Sequence, residues 1–192
     1  MGEKFSKKNS IDGDPYQGRG SDLYKTILSG KSIPMFFLER VEKCPDLVAF
    51  RYKDLGIYRE VTWQKYWEEV EDFCLGLLEL GLERGDRVAI MGDPCAEWLY
   101  ADLAILSAGA ISFGIYSTSS VEETRYTVER TKAKFFIAED QEYVDKILPF
   151  IDQFPFLQKV IVADTRAMFM YRHPKLINLV LHSFPWVIHI MF

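Results

Sequence analysis

Gly85-Asp86-Arg87-Val88-Ala89-Ile90-Met91-Gly92-Asp93-Pro94 decides the fold. Arg87 to Met91 is a short β-favouring run, almost wholly apolar and bounded by turn residues, which reads as a buried strand. Asp93-Pro94 then reads as a helix cap followed by a first-turn proline. Trp98, Ala101, Leu103, Ala104 and Leu106 carry that helix to Gly109. The same unit recurs downstream. Residues 111–115 form a second short strand, and Ser120 with Glu123 makes a capping box that opens a helix through Tyr126 and Val128 to about Thr131. Phe135-Phe136-Ile137-Ala138 is a third strand, residues 141–151 a helix on Val144, Ile147, Leu148 and Ile151, and Val160-Ile161-Val162 a fourth strand. Strands separated by helices of roughly 10–15 residues demand right-handed crossovers and a parallel sheet. The expectation is an α/β fold, a Rossmann-like parallel sheet with flanking helices.

Upstream the pattern changes. Tyr66, Val70, Phe73, Leu77 and Leu80 recur at helical spacing, widened by Trp63, Trp67 and Cys74. One face of that helix is therefore core, Thr62 caps its start and Gly81 ends it. Before it, Val48-Ala49-Phe50-Arg51-Tyr52 and Tyr58-Arg59-Glu60-Val61 flank a turn at Asp54-Leu55-Gly56. These runs read as a small antiparallel hairpin. Order is expected from about Ile33, where Pro34 opens a helix with Phe36, Phe37, Leu38 and Val41 on its apolar face.

The two ends read differently. Residues 1–32 form a polar, glycine-containing arm, expected to be mobile. Met1-Gly2-Glu3-Lys4-Phe5-Ser6 matches a loose myristoylation pattern, which in such a stretch is a chance match. Residues 176–192 contain no Lys, Arg, Asp or Glu and show neither helical nor alternating order. As a helix they would rise about 25 Å against a hydrocarbon core of roughly 30 Å, too short for a stable span. Arg172 and Lys175 stand where anchoring cations would, which leaves peripheral membrane contact open.

Composition excludes several classes. Apolar residues are 48% and charged residues 27%, as in ordinary globular chains. The net charge is −5 without a basic cluster, which argues against nucleic acid. Cys44, Cys74 and Cys95 are too scattered for a disulfide framework or a metal site and fit a reducing, cytoplasmic setting. His173, His182 and His189 lack companions at ligand spacing. Gly30-Lys31-Ser32 fails as a phosphate loop because Lys25 stands where a glycine is needed, and Gly18-Arg19-Gly20 fails as a dinucleotide fingerprint at Leu23. The acidic pairs Glu68-Glu69, Glu122-Glu123 and Glu139-Asp140 read as solvated faces or helix-start charges. No catalytic, cofactor-binding or metal-binding residue is expected in this chain.

A resemblance becomes specific at four stretches in order. Val48-Ala49-Phe50 through Val61-Thr62-Trp63 resembles the opening hairpin and helix start of the adenylate-forming, AMP-binding superfamily. Gly81-Leu82-Glu83-Arg84-Gly85-Asp86-Arg87-Val88-Ala89-Ile90 is similar to its glycine-aspartate-arginine strand segment. Glu97-Trp98 and Ala108-Gly109-Ala110 match the following helix, and Gly114-Ile115-Tyr116-Ser117-Thr118-Ser119-Ser120 resembles a loop of the AMP-forming long-chain fatty acyl-CoA synthetase branch. Pro94 departs from the asparagine expected there. The matched glycines, Asp86 and Trp98 read as turn, cap and packing residues.

The resemblance implies the first subdomain of such an enzyme over residues 33–175. It implies ligation of a fatty acid to coenzyme A through an acyl-adenylate, with ATP and Mg²⁺ used by the full-length enzyme. The family's Gly-, Ser- and Thr-rich ATP loop, its ribose-binding aspartate and its C-terminal lysine have no counterpart in residues 1–192. The chain alone is therefore expected to be inactive and to bind no cofactor. Its similarity fades near Lys175, as in a truncated or frameshifted product. A non-enzymatic interaction module, or one subunit of a split ligase with a complementary polypeptide, is the alternative.

Overall fold

The computed structural model describes residues 30–178, 189 and 190. Helix α1 (Ile33–Lys43) leads into the hairpin β1 (Val48–Asp54) and β2 (Ile57–Thr62), then helix α2 (Trp63–Glu79). The alternating part runs β3 (Arg87–Met91), α3 (Ala96–Ser107), β4 (Ile111–Ile115), α4 (Val121–Thr131), β5 (Phe135–Ala138), α5 (Gln141–Ile147) and β6 (Lys159–Val162). A single 3₁₀ turn, Leu148–Phe150, follows α5, and β7 (Leu176–Asn178) and β8 (His189–Ile190) close the sheet.

The six-stranded sheet has the order β4-β3-β5-β6-β7-β8, parallel from β4 to β7 with β8 antiparallel. Its central strands β3, β5 and β6 are buried on both faces, as parallel strands must be when crossovers cover each side, whereas the edge strand β4 is only partly covered. Val88 and Ile90 of β3 join Phe135, Ile137 and Ile161 under α1, α2 and α3. Ala89 and Met91 join Phe136, Val160 and Val162 under α4 and α5. Helix α3, between β3 and β4, packs on one face and α4, between β4 and β5, on the other, as the right-handed rule requires when β4 and β5 flank β3 on opposite sides.

The first core layer is aromatic. Tyr66 of α2 has ring contacts with Phe37 at 4.7 Å, Phe50 at 5.2 Å and Tyr100 at 5.5 Å. Its hydroxyl donates to the Leu99 carbonyl at 3.4 Å, which joins α2 to α3. Thr62 caps α2 by accepting from the Lys65 amide at 3.1 Å. The expected capping box at Ser120 and Glu123 is present in both directions, at 3.2 and 2.8 Å.

Three sequence expectations need correction. Asp93 does not cap α3; the helix starts further on, with Cys95 at the N-cap and no side-chain bond, and the Asp93 backbone is held ahead of it by its amide bond to Glu139. The helix expected over 141–151 ends at Ile147, where the chain tightens around Pro149. Residues 176–192 are not unpatterned throughout: Leu176 and Ile177 are buried in β7, paired with Val160 and Ile161. Residues 1–29 of the expected arm (1–32) and most of the tail (179–188, 191 and 192) lie outside the described residues, as do the glycine pattern at 18–20 and His182.

Candidate active-site cleft

In an open α/β sheet the ligand crevice forms beyond the carboxyl ends of strands, where the strand order reverses. Here that place lies between β3 and β5, and it is closed. Gly92, following β3, lies so near Glu139, following β5, that a methyl group on Gly92 would stand 2.7 Å from the Glu139 Cβ. The Glu139 carboxylate accepts a 2.6 Å bond from the Asp93 amide across the gap. The void left beneath, bounded by Ile90, Ile137, Trp98 and Ala163, is about 10 Å³, room for one water at most.

The open space is displaced to the β4 side. A cleft of about 690 Å³ lies beyond the ends of β3 and β4, the size range of small-molecule sites. Phe50, Arg51 and Tyr52 of the hairpin form one wall, and Cys95, Trp98 and Leu99 of α3 and its approach form the other. Gly92 and Gly114 are at its base and Tyr116 and Ser117 at its rim. The reason for Gly114 is steric: a Cβ there would come within 3.2 Å of the Trp98 ring. The Glu97-Trp98 and Gly114 matches are thus one packing unit, with the indole laid across the end of β4.

The cleft is largely apolar, and its polar groups are few. Arg51 is held by Glu60 at 2.7 Å. Burial pushes the Cys95 thiol up to about 12, so it is a packing group and no nucleophile at neutral pH. Tyr116 is 85% exposed at the rim. The loop behind it is pinned by Lys146, whose ammonium donates to the Ser117 carbonyl at 2.5 Å. Of the serine- and threonine-rich loop 116–120, only Tyr116 and Ser117 reach the cleft, while Ser120 is used as a cap.

The remaining sequence candidates are structural. Asp86 accepts from the Glu83 amide at 2.7 Å and from Lys134 Nζ at 2.6 Å, and Lys134 also donates to the Gly81 carbonyl at 2.8 Å. Asp140 caps α5 through the Glu142 amide, and Glu69 pairs with Lys65. Lys31 pairs with Glu39, and Ser32 is the N-cap of α1. His173 lies 3.2 Å from Asp152 on one nitrogen and accepts from the Lys175 amide on the other. Among the described residues no three of His, Cys, Asp or Glu converge as metal ligands. The cleft itself was missed by reading along the chain, although Gly92, Trp98 and Gly114 were its local signals.

Comparison with known proteins agrees with this architecture. The family profile described as AMP-binding enzyme matches residues 37–175. The long-chain-fatty-acid–CoA ligase ACSBG2 of Xenopus laevis is 35% identical over 130 residues, 68% of this chain and 18% of that protein. The long-chain-fatty-acid–CoA ligase FadD15 of Mycobacterium bovis is 29% identical over 136 residues, 71% of this chain and 23% of that protein. The crystal structure of the anthranilate CoA ligase AuaEII in complex with anthranoyl-AMP superposes with a TM-score of 0.61 at 25% identity, over 67% of this chain and 24% of that one. The chain spans about a fifth of the length of the curated relatives it matches. It belongs to the AMP-binding enzyme family, and its homologues over this region are long-chain fatty acid–CoA ligases.

Proposed function

We propose that the chain supplies the N-terminal part of a long-chain fatty acid–CoA ligase. In that reaction a fatty carboxylate attacks the α-phosphate of ATP and releases pyrophosphate, giving an acyl-adenylate. The thiol of coenzyme A then attacks the acyl carbon and AMP leaves. The observation that carries the reading is the family match over residues 37–175, on a fold whose open cleft lies beyond the carboxyl ends of β3 and β4. The comparisons support a ligase rather than a non-enzymatic interaction module.

The rim of the cleft, as the described residues form it, carries no glycine-rich loop with a lysine to hold a triphosphate. We therefore assign nucleotide, metal and coenzyme A handling to polypeptide beyond these residues, in the same chain or a complementary one. This chain contributes an apolar cleft wall and a rigid sheet end. On this reading residues 1–192 alone give no fatty-acid-dependent exchange of pyrophosphate into ATP. Residues 1–175 joined to the remainder of a related long-chain synthetase restore exchange and acyl-CoA formation. Exchange by the chain alone above a no-protein blank, or a well-folded but dead chimera, overturns the reading.

A further inference from the structure

The hairpin is built oddly at its tip. Residues 51–53 of β1 and 57–60 of β2 are exposed, so the outer half of this two-stranded ribbon projects from the body. Its turn is Leu55-Gly56, closed by the pair Asp54 and Ile57, with positive φ at both central residues (46° and 85°). Such a turn favours Asn or Asp ahead of glycine, because a Cβ clashes in the left-handed region. Leu55 takes that conformation and is 95% exposed, beside Ile57 at 59% and Tyr58 at 69%. Neither backbone preference nor packing within the described residues explains a leucine there. Backbone strain that buys no internal contact points outward.

The surroundings select the partner. Residues 53–60 line neither of the cavities described above. Arg51, Lys53 and Arg59 stand behind it against Asp54 and Glu60, a local charge of opposite sign to the chain's net −5. Arg51 pairs with Glu60 and Arg59 with Asp54, whereas exposed Lys53 has no ion-pair partner among the described residues. Apolar side chains at a protruding tip, a tyrosine beside them and a surplus cation just behind match the layering of a bilayer surface: acyl boundary, interface, anionic headgroups. We propose that the β1-β2 tip is a lipid-surface contact, with Leu55 and Ile57 entering the interface and Lys53 meeting headgroup phosphate. Phe50, Arg51 and Tyr52 of the same strand wall the cleft, so docking brings that cleft to the membrane. The inference does not depend on the ligase reading.

The test is co-sedimentation of the full chain with large unilamellar vesicles of phosphatidylcholine, with and without phosphatidylserine. Leu55→Asn removes the apolar tip while suiting the left-handed turn, so its melting temperature stays equal or rises. Its vesicle partition coefficient should fall about tenfold, the equivalent of withdrawing one leucine from an apolar phase. Lys53→Gln should lose about fivefold on phosphatidylserine vesicles and nothing on phosphatidylcholine alone. Leu75→Gln, on an exposed leucine of α2, should bind as the unaltered chain does. Residues 176–192 are common to every variant, so the ratios read the hairpin alone. No binding by the unaltered chain, equal binding by Leu55→Asn, or an equal loss in Leu75→Gln overturns the proposal.

Discussion

Replacing Asp86 by alanine should cost the fold about 2–3 kcal/mol. The carboxylate accepts two bonds, 2.7 Å from the Glu83 amide and 2.6 Å from Lys134 Nζ. Bonds to charged groups contribute about 1.5–3 kcal/mol each, and both side chains keep some solvent contact (24% and 16%), which lowers the sum. The residue matters because of what it joins: the turn after α2, the start of β3 and, through Lys134, the start of β5. Lys134→Met should cost about 1–2 kcal/mol, since it also frees the Gly81 carbonyl. The two losses should not add, and the double variant should recover about 1 kcal/mol of coupling. Urea unfolding followed by far-UV circular dichroism measures all four corners of the cycle. For a chain of this size, Asp86→Ala should lower Tm by about 4–10 °C. A coupling within about 0.3 kcal/mol of zero would refute the tie, leaving Asp86 as a turn cap that any small acceptor replaces.

Gly92→Ala should destabilise by about 1–3 kcal/mol, because its methyl group meets the stem of Glu139 at 2.7 Å rather than a flexible end; chemical denaturation reads the loss. Lys132 ends α4 with φ 54° and ψ 46°, and Lys132→Gly should relieve about 1 kcal/mol of strain. That gain is offset by losing the ammonium above the Phe156 ring at 4.7 Å, so the full benefit in thermal melts should emerge only in a Phe156→Leu background. Burial raises Glu139 above its ordinary value of 4.5, the Asp93 amide opposes this, and the carboxylates of Asp140, Asp93 and Glu97 reinforce it. The folded chain thus holds this proton more tightly than the unfolded one. The stability contributed is complete below pH 4.5 and is lost as pH rises through the raised value. Glu139→Gln, always neutral, should therefore gain on the unaltered chain between pH 4 and 7 in paired urea titrations, and a constant difference would contradict the assignment.

What the sequence made legible follows from how local each cause is. Strands β3 to β6 stood out because each is a short apolar run bounded by turn residues, and the Ser120 capping box because its two members are three residues apart. The start of α3 did not: the Asp93 backbone is held ahead of the helix by its amide bond to Glu139, 46 residues further on. Strand β7 has only three residues, too few for a period, and its cause is pairing with β6 across the loop at 163–175. The cleft has the same character. Its walls come from the hairpin and from the ends of β3 and β4, so no single segment announces it. The Gly-Asp-Arg segment was legible as architecture, and Asp86 is used as architecture.

The order β4-β3-β5-β6-β7-β8 also carries a history of assembly. As the chain leaves the ribosome, β3 emerges first among these strands, β4 can dock on one flank, and β5, β6, β7 and β8 can each dock on the other. No later strand has to wedge between two neighbours already joined. Each addition lengthens an existing edge, and α3, α4 and α5 arrive with β4, β5 and β6, so apolar surface is sheltered nearly as soon as it is made. A sheet laid out this way can grow stepwise with synthesis, without the long wait for a distant partner that exposes folding intermediates to aggregation.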